Sequence, residues 1–350
     1  MKENATHMTH PILLPAAWTH EGLVLPRKHD GGNSDVVGDP CIVWDEAIPG
    51  WRMFLFYDPP GCGQAICRDR ASVGAGHWTF LGPLAFTNPD AMIHGGLHKP
   101  WIVTLADQPH QAARVDGRYW LLAVSHAPKR IQRAWSNHLA GPWTIEGGAL
   151  IPNGSDQDFD AKHTDAVTGT FFPDRDLFLY FYMGYPLAAQ PRRSLSPYGS
   201  AQGAAIQGRG ELTVNKLGEI LPPSLQPGHW ASGWVGGLQL LPGADHRWLG
   251  LVNASPTAVD PRKDAVWTEE PPPSLGGFAW CDEEFPVTNW NWYASPVERI
   301  EDIPTEAQSN GEQVNLWRHF LLRLDAARLA LFYNSGSYGK EQLYWKLGRV

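Results

Sequence analysis

The feature that most constrains this chain is a hairpin that recurs five times in degenerate form. Each copy is a short apolar run rich in β-branched or aromatic residues, then a polar turn, then a second such run. The first is Asp39-Pro-Cys-Ile-Val-Trp with Arg52-Met-Phe-Leu-Phe-Tyr, and the second is Lys99-Pro-Trp-Ile-Val-Thr-Leu with Arg118-Tyr-Trp-Leu-Leu-Ala-Val. The third joins Asp165-Ala-Val-Thr-Gly-Thr-Phe-Phe to Leu177-Phe-Leu-Tyr-Phe-Tyr. Gly237-Leu-Gln-Leu-Leu with Arg247-Trp-Leu-Gly-Leu-Val makes the fourth, and Arg318-His-Phe-Leu-Leu-Arg-Leu with Arg328-Leu-Ala-Leu-Phe-Tyr the fifth. Successive copies stand about 60 to 80 residues apart, which leaves room for two more strands in each unit. Gly63 to Arg68, His77 to Leu84, Ile131 to Trp135 and Gly141 to Leu150 supply them in the first two units.

Four strands per unit is the blade of a β-propeller, so the expected fold is all-β, a five-bladed propeller in a single domain over 1–350. The fifth unit ends at Tyr344-Trp-Lys-Leu-Gly-Arg-Val350 and lacks a fourth strand, while Ala17 to Leu25 resembles Gly141 to Leu150. The N-terminal segment is therefore expected to close the ring as the outer strand of the last blade, leaving no long unpaired edge. A two-layer sandwich is the structural competitor, but it does not require five similar hairpins or matching terminal strands. With 36 Gly and 30 Pro in 350 residues, helical windows are interrupted almost everywhere, and only Pro304-Thr-Glu-Ala-Gln offers a helical start. Two stretches do not fit the repeat: the loop Tyr185 to Gln202, and a long insertion over 256–292 with Pro271-Pro-Pro, Gly276-Gly and several Trp. The insertion is expected to fold over the channel mouth.

Charge narrows the partners. Lys and Arg number 28 against 36 Asp and Glu, a formal charge of −8 with no basic run, which argues against nucleic acid. No apolar stretch approaches the roughly 18 residues of a membrane span, and Met1 to His10 lacks the basic and apolar parts of an export signal. The expectation is a cytoplasmic protein with no membrane partner, its oligomeric state unread. Cys41, Cys62, Cys67 and Cys281 are too few for a disulfide framework and are expected as buried free thiols.

In a propeller the innermost strands line a central channel, and the residues that begin them converge on one mouth. Here these are Asp39, Lys99, Asp165, the segment from Trp234, and Arg318 with His319. Two carboxyl groups across such a funnel are what acid/base cleavage of a glycosidic bond requires. His94, His98 and His163 have no zinc spacing, and neither metal nor cofactor is implied.

Val37-Gly-Asp-Pro-Cys-Ile-Val-Trp, Met53-Phe-Leu-Phe-Tyr, Ser136-Asn-His-Leu-Ala-Gly-Pro-Trp-Thr and Phe178-Leu-Tyr-Phe-Tyr-Met-Gly resemble the five-bladed propeller glycoside hydrolases of family 43. That group holds arabinanases, arabinofuranosidases and β-xylosidases, with invertases and mannoside phosphorylases as more distant relatives. The resemblance implies a carbohydrate substrate, a catalytic-base Asp opening the first blade, a second Asp opening the second, and a general-acid Glu opening the third. Asp39 matches the base. The chain departs at the other two places, with His98-Lys99-Pro100 in the second blade and His163-Thr-Asp165 in the third.

The expected function is thus a glycoside hydrolase with Asp39 as base and Asp165 as acid. Inversion would follow if the carboxyls stand roughly 6.5 to 9.5 Å apart. Glu283 or Glu284 would serve as acid in place of Asp165. Lys99, Trp101, His163, Trp234, Arg318 and His319 are the expected substrate contacts, and Trp280, Trp290 and Trp292 are further stacking candidates. Trp51, Trp120, Trp143 and Trp248 lie inside blade strands and are expected in the core. Lys99 and Arg318 also fit a phosphorylase or lyase acting on an anionic sugar. A non-catalytic carbohydrate-binding propeller is a third reading.

Overall fold

A computed structural model of the chain describes residues 11–27, 36–58, 61–69, 72–74, 76–93, 96–126, 129–190, 195, 199–256, 274–299, 303, 315–336 and 341–350. The chain opens with β1 (Trp18–Leu25), then builds the first sheet from β2 (Val36–Asp45), β3 (Gly50–Asp58), β4 (Gly61–Cys67) and β5 (Trp78–Pro83). The second sheet holds β6 (Leu97–Ile102), β8 (Tyr119–Ser125), β9 (Ile131–Ser136) and β10 (Thr144–Ile145). Between them in sequence, the two-residue β7 (Thr104–Leu105) leaves that sheet and pairs in parallel with the inner strand of the third. The third sheet continues through β11 (His163–Phe172), β12 (Leu177–Tyr185), β13 (Ala201–Gly208) and β14 (Asn215–Leu221). The fourth runs β15 (Trp234–Pro242), β16 (Trp248–Ser255), β17 (Leu275–Cys281) and β18 (Asn291–Trp292). The fifth is β19 (Asn315–Arg323), β20 (Arg328–Gly336), β21 (Gln342–Arg349) and then β1.

The chain is therefore a five-bladed β-propeller closed by its N-terminal strand. β1 pairs antiparallel to β21, with Trp18 opposite Gly348 and Leu25 opposite Leu343. The inner strand β2 is buried at every position, because it has a neighbouring blade on both faces. Trp51, Trp120, Trp143 and Trp248 are buried in the blades as expected. All four cysteines are buried and free. Among the described residues the helical content is the single turn Pro89–Ala91, and no helix is long and apolar enough to cross a membrane.

The expected insertion over 256–292 divides differently. Residues 257–273 lie outside the described residues, as do 191–194 and 196–198 of the Tyr185 to Gln202 loop and the Pro304 segment. Leu275–Cys281 is the third strand of its blade, with Ala254 opposite Leu275 and Trp248 opposite Cys281. It runs away from the end where β15 begins, so the residues just after Cys281 stand at the far end of the blade, and Asn291–Trp292 return as its outer edge strand, opposite Trp280 and Ala279.

One backbone feature repeats in all five blades. On each inner strand one extra residue interrupts the pairing with the second strand, between Gly38 and Cys41, His98 and Trp101, Asp165 and Thr168, Gly236 and Gln239, and Trp317 and Phe320. Each break contains a residue with positive φ: Asp39 (51°), Lys99 (54°), Ala166 (47°), Gly237 (70°) and Arg318 (45°). Bulges of this kind re-aim side chains, and non-glycine residues in the left-handed region carry strain that clusters at functional sites.

Candidate active site

The five bulges ring a cavity of about 320 Å³ at the end of the channel where the inner strands begin. All five positive-φ residues line it, so the ring reads Asp, Lys, Ala, Gly, Arg from the first blade to the fifth. Blades one, two and five bring charge, and blades three and four leave space. That space is bordered by a small apolar cluster of Ala166, Met183, Tyr185 and Trp234, separate from the blade cores. An apolar wall opposite a polar one suits a sugar, whose ring has an apolar face and a hydroxyl rim.

Asp39 is held from two sides. Its backbone N–H donates to Asn334 Oδ1 at 2.9 Å, and Asn334 Nδ2 donates to its carboxyl at 3.2 Å. Gly38 makes this clamp possible, since a Cβ there would overlap the Asn334 amide. The Arg318 guanidinium lies 3.9 Å from the carboxyl. Burial pushes the Asp39 carboxyl above its ordinary value, against the pull of Arg318 and Lys99, and the nearby Asp165 charge adds to the rise.

Asp165 is in a different state. Its Oδ1 accepts from Lys99 Nζ at 2.7 Å and from the Ala166 N–H at 2.6 Å, and its Oδ2 accepts from Lys99 Nζ at 2.9 Å and Lys129 Nζ at 2.6 Å. A carboxylate has about four acceptor sites, and all are taken. Burial alone would raise this group, but Lys129 and Lys99 outweigh it and hold the carboxyl well below the usual carboxylate range. It is also not on the cavity wall: its side chain is 1% exposed, beneath lysines that are 21% and 25% exposed. Four donors and two neighbouring ammonium groups stabilise the charged form of Asp165, an environment poorly matched to the proton donor expected from sequence.

Lys99, Trp234 and Arg318 border the cavity as expected. Trp101 does not; its indole N–H donates to the Gly169 carbonyl at 3.1 Å and its ring packs against Phe320 inside the channel. His163 stands behind the wall against Tyr185, where burial, reinforced by Lys129, pulls its imidazole down to about 4. His319 ties blades four and five together, 2.9 Å from Glu298, whose other oxygen meets Lys346 at 2.7 Å, and 3.0 Å from Asn253. Glu283 and Glu284 are exposed at the far end, where Glu284 pairs with Arg175 at 2.9 Å. Trp280 stacks on His246 at that end, while Trp292 packs on Trp230 at the outer edge of blade four, and neither borders the cavity.

Several bordering residues, Asn253, Asn334, Lys129 and Glu341 among them, are not site residues in the sequence reading. Asn253 and Asn334 stand opposite the bulges on the second strands of blades four and five, where a lone amide in an apolar run was a readable signal. Lys129 enters from the approach to β9, and Glu341 from the head of β21, its carbonyl accepting from the Val37 N–H at 3.0 Å beside Asp39. Among the described residues no three His, Cys, Asp or Glu side chains gather as a cation site.

No family model and no curated protein sequence match the chain. Solved structures do. The chain is similar to a thermostable family-43 glycoside hydrolase at 13% identity, covering 91% of this chain and 90% of that one with a TM-score of 0.61. It is similar to the catalytic domain of the Coprinopsis cinerea GH62 alpha-L-arabinofuranosidase at 12% identity, covering 97% and 98%, TM-score 0.59. A GH62 hydrolase in complex with xylotriose matches at 11% identity over 95% and 97%, TM-score 0.58. The chain thus has the five-bladed β-propeller fold of the family-43 and family-62 glycoside hydrolases.

Proposed function

We propose that the protein is a glycoside hydrolase acting on an oligosaccharide or glycoside in the cavity at the blade heads, with Asp39 as its central carboxyl group. The observation that carries this reading is the strained, doubly clamped Asp39 on the wall of a cavity whose opposite wall is apolar. The fold neighbours support it, one of them a hydrolase holding xylotriose. Glycoside cleavage needs one carboxyl that keeps its proton and one that does not. Burial pushes the Asp39 carboxyl upward, the direction a proton donor needs, so the donor role is tested beside the base role that the sequence resemblance implies. Glu341, the other acid among the described residues of the cavity wall, is the second carboxyl of the pair, placed to activate water. Asp165 acts through the lysines it holds.

The test is a panel of aryl glycosides and oligosaccharides. On a substrate that turns over, Asp39→Asn is expected to lose about 10²- to 10⁴-fold in rate with the fold retained. With Asp39 as acid, kcat/KM falls as pH rises through its raised pKa; a rate that instead climbs with deprotonation returns it to the base role. The anomer first formed, read by NMR, decides inversion. The paired lysines favour a second reading, a phosphorylase or lyase on an anionic sugar, recognised by phosphate-dependent turnover or an unsaturated product.

A further inference from the structure

We infer that Lys99, Lys129 and Arg318 form an oxyanion subsite, so that the saccharide taken by this cavity carries an anionic group. This rests on the reading of the cavity as a saccharide site and goes further by naming the substrate class.

The first support is a layering of charge. Both lysine ammonium groups border the cavity while the carboxylate they share lies beneath them and off the wall. A ligand therefore meets the positive ends first. The second support is Arg318. Its Nη2 donates to the Val167 carbonyl at 3.4 Å and its Nε lies 3.9 Å from Asp39, but Nη1 is buried with no hydrogen-bond partner. A buried guanidinium donor left open is costly, and such groups are normally satisfied by an acceptor. Arg318 borders the cavity, and Gly237 across the bulge ring leaves the room: a Cβ there would stand 3.2 Å from Nη1. A carboxylate or phosphate oxygen is the acceptor whose charge matches, since guanidinium pairs with such groups in a fixed fork. The third support is placement. The side chains come from blades two and five, next to the Asp39 blade on either side, so an anion held there sits beside the reacting carboxyl.

The experiment is calorimetric titration of the full chain with glucuronate, glucose 6-phosphate and glucose, at low and high salt. At least one of the two anionic sugars is expected to bind tenfold or more tighter than glucose, with the preference shrinking as salt rises. Which one binds distinguishes a carboxylate from a phosphate source. Lys99→Met should bring the preference near unity. Asp165 keeps Lys129 in that variant, and Lys129→Met serves as the second variant should Lys99→Met fold poorly. Asp39→Asn should keep the preference even with turnover lost, which separates this inference from the hydrolase reading. Equal or absent binding of all three sugars by the wild-type chain overturns the subsite, as does a preference that survives both lysine variants.

Discussion

The heads of blades one and three differ by one residue. In blade one the carboxyl stands on the positive-φ residue of the bulge, Asp39; in blade three it stands one residue earlier, at Asp165, and Ala166 takes the positive φ. The first position faces the cavity and the second faces the lysines below it. Two acids that open equivalent strands are thereby pushed in opposite directions, one upward by burial, the other downward by two ammonium groups. In this molecule a carboxyl's access to the cavity follows from its position within the bulge, and beginning an inner strand is not enough.

The largest expected effect on this comparison comes from exchanging each acid for its amide. Asp39→Asn should fail in rate alone. Asp165→Asn should fail in stability, because it leaves two ammonium groups facing each other without their shared counter-charge. Removing one partner of a buried ion pair costs about 3–5 kcal/mol, so a large fall in the urea midpoint is expected. Adding Lys129→Met should recover much of it, since one lysine and an amide then remain. If Asp165→Asn unfolds at the wild-type midpoint while losing activity as Asp39→Asn does, the two heads are equivalent and the distinction fails.

A smaller effect tests the lysine field itself. His163 opens β11 beside Lys129, with Lys162, Arg130 and Asp165 around it, and its imidazole is pulled down to about 4 from an unfolded value near 6.5. The sign follows from proton binding. Between about pH 6.5 and 4 the unfolded chain takes up a proton that the folded chain refuses, so stability falls with pH by about 1.4 kcal/mol per unit at most and levels off below. His98, also lowered, adds to the slope. His163→Gln should reduce the proton uptake on unfolding near pH 5 by up to one, read from urea midpoints across that range. An unchanged slope would mean that His163 titrates normally in the folded chain and that the field is weaker than the geometry implies.

The fold was legible because its signal is repeated: five hairpins with matched polar turns leave few alternatives, and Trp18 to Leu25 resembles the outer-strand segment of blade two closely enough to locate the closing strand. Asp39, Lys99 and Arg318 are legible as cavity residues because each stands near the start of an inner strand of the repeat, and in the first two blades a proline sits at the bulge beside it. No proline marks it in blade three, so Asp165 could not be separated from Ala166. The stretch Leu275-Gly-Gly-Phe-Ala-Trp-Cys281 reads as part of a loop in the sequence because its glycines mask a strand. Missing that strand missed the reversal of direction that carries Glu283 and Glu284 to the far end and sets Trp292 on the outer edge of the blade. Lys129 and Glu341 come from outside the inner strands, where no repeat position announces them.

The smallest effect concerns the blade that carries no side chain at its bulge. Gly237 has a φ of 70°, and an added Cβ would stand 3.2 Å from Arg318 Nη1 and 3.5 Å from its Cδ. Ala166 shows that alanine tolerates the same bulge one blade away, so the backbone alone costs Gly237→Ala about 1 kcal/mol. The tighter consequence is local. The methyl group crowds the guanidinium, and the long arginine side chain yields by turning away from the cavity. Stability should therefore fall by about 1 kcal/mol by urea unfolding, while affinity for the preferred anionic sugar drops and affinity for glucose stays level. If both sugars weaken equally, Gly237 serves the shape of the cavity, and the charged and uncharged sides of the bulge ring are less distinct in binding than their residues suggest.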